Sequence, residues 1–199
     1  HVPELKRLNV EMTTMSFDTP IDSSMMNEKD WIQIAETVYE NYSKYDGFVV
    51  LHGSDTMSYT ASALSFIFSG LTKPVILTGS QLPIGTIRTD GKENLITAIE
   101  IAARKNKDGE ALIQEVAIYF EYHLYRGNRS TKDSASHFQA FRSPNYPLLA
   151  TAGVDIEFNT AKLYRSKNSV VSINTKLNNR VAVLKLYPGL ALSMYESIF

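Results

Sequence analysis

Cysteine is missing altogether from the 199 residues. No disulfide or cysteine-ligated zinc site is therefore available, and the redox compartment is left open. No run approaches the ~20 apolar residues that span a bilayer, and the opening HVPELKRL is neither a signal peptide nor a transit peptide. Charge of one sign is not in excess either: 20 basic against 21 acidic side chains leave a net charge of −1. That balance removes any electrostatic reason to seek nucleic acid or an anionic membrane, so neither is expected as a partner. The four histidines, at 1, 52, 123 and 137, lack metal-ligand spacing, and no metal site is expected. The phosphate-binding spacings G-x-x-x-x-G-K-[ST] and G-x-G-x-x-G are absent, as is the nucleophile elbow G-x-S-x-G.

What is present is an ordinary globular composition, 44% hydrophobic, in a length that suits one domain and the start of another. Short apolar, β-branched runs at 47–51, 75–79 and 115–120 read as buried parallel strands. Helical spacing fills the intervals, over Thr56–Ser69 and Asp90–Arg104, with Leu95, Ala98, Ile99 and Ala102 on one face of the second. Asp90 and Glu93 have the spacing of a capping box, and Asn27 is placed to cap a helix running to about Tyr42. Strand–helix–strand repetition of this kind predicts an α/β fold, a parallel sheet flanked by helices. After Pro144 the pattern predicts short strands at Leu148–Ile156, Lys162–Tyr164, Val170–Ile173 and Val181–Tyr187, and the final YPGLALSMYESIF reads as entering a helix.

In open α/β sheets, ligands bind beyond the carboxyl ends of the strands. Three loops lie there, reading HGSDTM, SQLPIGTIRTDG and EYHLYRGNRSTKDS. In the first, Ser54 presents a hydroxyl, and Asp55 either caps the following helix or, with Ser54, faces a ligand's ammonium and amide. His52 reads as structural. The basic run Arg126–Lys132 is either a solvated surface or the source of one desolvated lysine able to act as a base. Asp22-Ser23-Ser24 reads as a turn with capping side chains, whose donors would equally suit a carboxylate.

Taken together and in this order, PIDSS (20–24), YDGFVVLHGSDTMSYTASALSF (45–66), KPVILTGSQLPIGTIRTDGKENL (73–95) and LYRGNRSTKDSASHFQAFRSPNYP (124–147) resemble the bacterial L-asparaginase family, in particular its type I, cytoplasmic branch. The resemblance implies hydrolysis of L-asparagine to aspartate and ammonia without metal or organic cofactor, in a cytoplasmic homodimer or homotetramer. It implies that Asp55 grips the substrate's α-ammonium, that Ser54 takes the place of the family's usual threonine, and that Lys132 completes a Ser54–Lys132–Asp55 set. Asp22, Ser23 and Ser24 would hold the α-carboxylate and α-ammonium, and Ser80 would lie beside the amide pocket. Serine at 54 keeps the hydroxyl but loses the methyl that restricts χ1. The family's T-G-G-T-I segment, which carries the nucleophilic threonine, is not among these residues. The expected organisation is an incomplete N-terminal α/β domain over 1–165, then a linker and the beginning of a smaller C-terminal α/β domain over 166–199. The alternatives are a glutaminase-asparaginase, a tRNA-dependent amidotransferase subunit of the same fold, or a non-catalytic amino-acid sensor.

Overall fold

The computed structural model describes residues 2–167 and 170–195. In chain order these form α1 (Glu28–Glu40), β1 (Phe48–Leu51), α2 (Met57–Ile67), β2 (Phe68–Ser69), β3 (Val75–Thr78), α3 (Gly91–Ala103), β4 (Val116–Phe120), β5 (His123–Arg126), β6 (Thr131–Lys132), β7 (Phe141–Arg142), β8 (Ala150–Ala152), β9 (Ile156–Phe158) and β10 (Ser172–Ile173). The main sheet has the order β1-β3-β4-β5-β8-β9. β1, β3 and β4 run parallel, as the strand–helix alternation predicts, and β5, β8 and β9 extend the sheet antiparallel.

Alternation along the strands sorts the core into two layers. Val75, Leu77, Val116, Ile118 and Phe120 pack with α1 and α2, whereas Ile76, Ala117 and Tyr119 pack with α3. Helices on both faces explain why all of β3 and β4 is buried. Asn27 starts α1 as expected: its Oδ1 accepts from the Lys29 amide at 3.0 Å, and its own amide donates to Asp30 at 2.9 Å.

α3 departs from expectation in two respects. Asp90 does not cap it, because its backbone is already helical (φ −81°, ψ −14°), a conformation that turns the side chain away from the first amides. Its carboxylate instead accepts from the Gln81 amide at 2.9 and 3.0 Å and from the Leu82 amide at 3.1 Å. The buried face is centred on Asn94, Ala98 and Ile101, rotated from the apolar set predicted. Asn94 can occupy the core because it is satisfied there, donating to the Gly79 carbonyl and accepting from the Glu121 amide, both at 3.0 Å.

The turn between β4 and β5 places Glu121 and Tyr122 at positive φ (44° and 67°), as a two-residue hairpin requires. Beyond Pro144, the stretch predicted as one strand, 148–156, divides into the β8–β9 hairpin. Residues 162–164 lie at and after a 3-10 turn (Thr160–Lys162), and only Ser172–Ile173 of 170–173 is a strand, paired with β2. Residues 181–187 form no strand. Near the end, residues 187–191 form no helix, a 3-10 turn covers Leu192–Tyr195, and residues 196–199 of the predicted helix lie outside the described residues.

Candidate active site

Three segments far apart in sequence converge at the carboxyl end of β1. The loop after β1 turns at Gly53, where a Cβ would fall 2.7 Å from that of Ser23, so glycine is required for residues 20–24 to dock there. Thr56 fastens that docking by donating to the Ser23 carbonyl at 2.6 Å, and Ser23 is buried. The Asp22 carboxylate accepts from the amide and hydroxyl of Ser24, both at 2.9 Å. These bonds, the backbone one first, hold its pKa below the ordinary carboxylate value. The sequence-predicted turn Asp22–Ser24 therefore lies against the Ser54–Asp55 loop.

Opposite this loop, the short β6–β7 pair carries Lys132. Its Nζ donates to Ser54 Oγ at 2.9 Å and to Asp55 Oδ1 at 2.7 Å. The lysine side chain is largely buried (14% exposed) while Asp55 is open to solvent (64%). Asp55 makes no capping bond to α2, whose N-cap is Thr56. Asp55 therefore does not cap α2; its carboxylate is bound to Lys132 and open to solvent. The basic run divides in two. Arg126 is structural, paired with Glu115 at 2.5 Å and stacked 4.2 Å from the Tyr146 ring, whereas Lys132 turns into the cluster.

The loop after β3 adds a residue that the sequence did not single out. Gln81 Oε1 accepts from Ser54 Oγ at 2.9 Å, and its Nε2 donates to the His137 carbonyl at 2.9 Å. Ser80, the expected pocket residue, lies beside Gln81 in this loop and packs against the start of α3, where a Cβ on Gly91 would lie 3.1 Å from its own. His52 serves the scaffold, as expected. Its Nδ1 donates to the Gly53 carbonyl at 2.6 Å, and its Nε2 lies 2.8 Å from Thr60 Oγ1, a hydroxyl that accepts from Trp31 Nε1 at 3.0 Å. Burial is the main cause that lowers the His52 pKa, and the bond to the Gly53 carbonyl works in the other direction.

The geometry is therefore a lysine nitrogen clamped between a hydroxyl and a carboxylate, beside a docked Asp-Ser-Ser turn. No helix among the described residues is long and apolar enough to cross a membrane. Comparison with known proteins gives a consistent picture. The family model described as asparaginase, N-terminal, matches residues 1–164. L-asparaginase 1 of Escherichia coli (strain K12) is 43% identical over 192 residues, 96% of this chain and 55% of that protein. The 60 kDa lysophospholipase of Mus musculus is 42% identical over 186 residues, 93% of this chain and 32% of that protein. The crystal structure of L-asparaginase I from Vibrio cholerae superposes with a TM-score of 0.86 at 42% identity, covering 97% of this chain and 57% of that one. The chain thus spans about a third to about half the length of the curated relatives it matches. With a family model matched over most of its length and a shared fold at this identity, the chain belongs to the asparaginase family.

Proposed function

We propose that the intact protein is an L-asparaginase: it hydrolyses the side-chain amide of L-asparagine, with water, to L-aspartate and ammonia. The observation that carries this reading is Lys132 Nζ held between Ser54 Oγ and Asp55 Oδ1. In this reading a threonine hydroxyl outside these residues attacks the amide carbon, and water then releases the acyl-enzyme. Ser54 and Lys132 handle the proton that leaves the attacking group and returns to the departing ammonia, a role that typically contributes ~10²–10⁴-fold. Asp55 does two things: it holds the lysine nitrogen, and its exposed carboxylate offers a charge-assisted bond to the substrate's α-ammonium. Asp22, Ser23 and Ser24 orient the other end of the amino acid. Ser80 lines the same loop as Gln81 and contributes to the wall of the amide pocket.

The site needs only ionisable side chains and hydroxyls, and the proposal includes no metal or organic cofactor. It also includes a homodimer or homotetramer working in the cytoplasm, on a small-molecule substrate. The domain division at about residue 165 is part of the same proposal, and the family match ending at residue 164 supports it. Ammonia release by the purified full-length protein tests the reading. Turnover of asparagine well above that of glutamine is expected; release from glutamine alone, or from neither, overturns it.

A further inference from the structure

We propose that Gln81 is a positioning residue for the reaction just described, an inference that rests on the asparaginase reading: it holds the Ser54 hydroxyl in one orientation. A serine hydroxyl has one proton to give and lone pairs to accept with. Lys132 Nζ donates to Ser54 Oγ at 2.9 Å, and Gln81 Oε1 takes the proton of that same oxygen at 2.9 Å. Both the χ1 well and the hydroxyl torsion are thereby defined. A threonine would restrict χ1 sterically through its methyl. Serine has no such methyl, and here a hydrogen bond does that work.

Gln81 can do this because it is itself held at both ends. Its amide donates to both oxygens of Asp90, which also accepts from Leu82 and from Asn94 Nδ2 at 3.2 Å. Its side-chain Nε2 faces two carbonyls, of His137 at 2.9 Å and of Ser134 at 3.4 Å. Two acceptors on that side leave only one orientation of the carboxamide, with Oε1 toward Ser54. The 133–140 loop that supplies these carbonyls begins directly after Lys132 and is closed by the Asp133 amide donating to the Ala140 carbonyl at 2.7 Å. Lys132, Ser54, Gln81 and this loop therefore form a ring of contacts in which the hydroxyl has a single place.

The test uses the full-length enzyme, its Q81M and S54T variants and the double variant S54T/Q81M. Methionine keeps the length of the side chain and removes both polar contacts. Q81M should lower kcat about tenfold, the scale of one hydrogen bond, with KM for asparagine within about twofold. In the S54T background the same change should cost less than about threefold, because the threonine methyl replaces the lost restraint. A purely structural role for Gln81 predicts equal losses in both backgrounds, and that result overturns the inference. Crystal structures of parent and Q81M give a readout independent of turnover. Ser54 should occupy one χ1 well in the parent and more than one in Q81M; a single unchanged rotamer in Q81M overturns the inference. A parent enzyme inactive on asparagine defeats the asparaginase reading, and the rotamer comparison still decides whether Gln81 positions Ser54.

Discussion

Strand β3 and residues 181–187 are built from much the same residues, VILT in one and VAVLKLY in the other, yet they meet opposite fates. β3 lies between β1 and β4, with Val75, Ile76 and Leu77 fully buried under helices on both faces. Val181, Val183 and Leu186 stand 74%, 93% and 69% exposed in an extended stretch with no strand partner among the described residues. The difference teaches that β-propensity describes how a residue fits a pleated, partnered surface, not a backbone choice it makes alone. A run flanked by helical segments brings its own cover in the next βαβ unit, whereas residues 181–187 have no such cover among the described residues.

The contrast can be broken at its strong end first. Leu77→Ala should cost about 2–5 kcal/mol of stability, the usual range for a fully buried leucine in a core that cannot collapse around the cavity. Urea denaturation measures it, and a loss under about 1 kcal/mol would show that the parallel half is looser than its burial indicates.

At the site that this half supports, Asp55→Asn should weaken asparagine binding by about 1.5–3 kcal/mol, the worth of a hydrogen bond to a charged group. Because Asp55 is exposed and makes no helix cap, stability should hardly change. Calorimetry and a melting curve separate the two effects, and equal asparagine affinity in mutant and parent contradicts the assignment.

A smaller effect comes from His52, whose folded pKa lies below the ordinary 6.5 because of burial. The unfolded chain binds this proton at a higher pH than the native one. The contribution is therefore complete above pH 6.5 and is lost as pH falls from there toward the folded value. Stability measured between pH 7.5 and 5 should decline less in His52→Gln than in the parent; parallel curves would remove His52 from that slope. At the weak end, Val183→Ala should change the stability of this chain by no more than about 0.5 kcal/mol.

Much of the site was legible in sequence, for a physical reason. Buried parallel strands announce themselves as short apolar runs, which puts Ser54 and Asp55 at the carboxyl end of β1; Lys132 follows the antiparallel β5, and only the family resemblance of its R-G-N-R-x-T-K stretch pointed to it. Asn27 was legible too, since a cap acts on residues next to it. Gln81 was not: its partners lie 27 and 56 residues away, and nothing local distinguishes it from Ser80 beside it. Asp90 misled because its spacing fits a cap, whereas its backbone dihedrals, invisible in sequence, turn it toward the Gln81 loop. The α3 face was misplaced because an asparagine in a core is explained only by its distant partners, Gly79 and Glu121.

The most direct test of the account is Lys132→Met in the full-length enzyme. Methionine keeps most of the packing of the lysine stem, so the melting temperature should stay close to the parent's. Its loss of the amine removes the contacts to Ser54 and Asp55. The account predicts a fall in kcat of at least about 100-fold, the lower end of what a general base contributes, with asparagine affinity within a few-fold of the parent's. A folded mutant that keeps more than about a tenth of the parental kcat would contradict it.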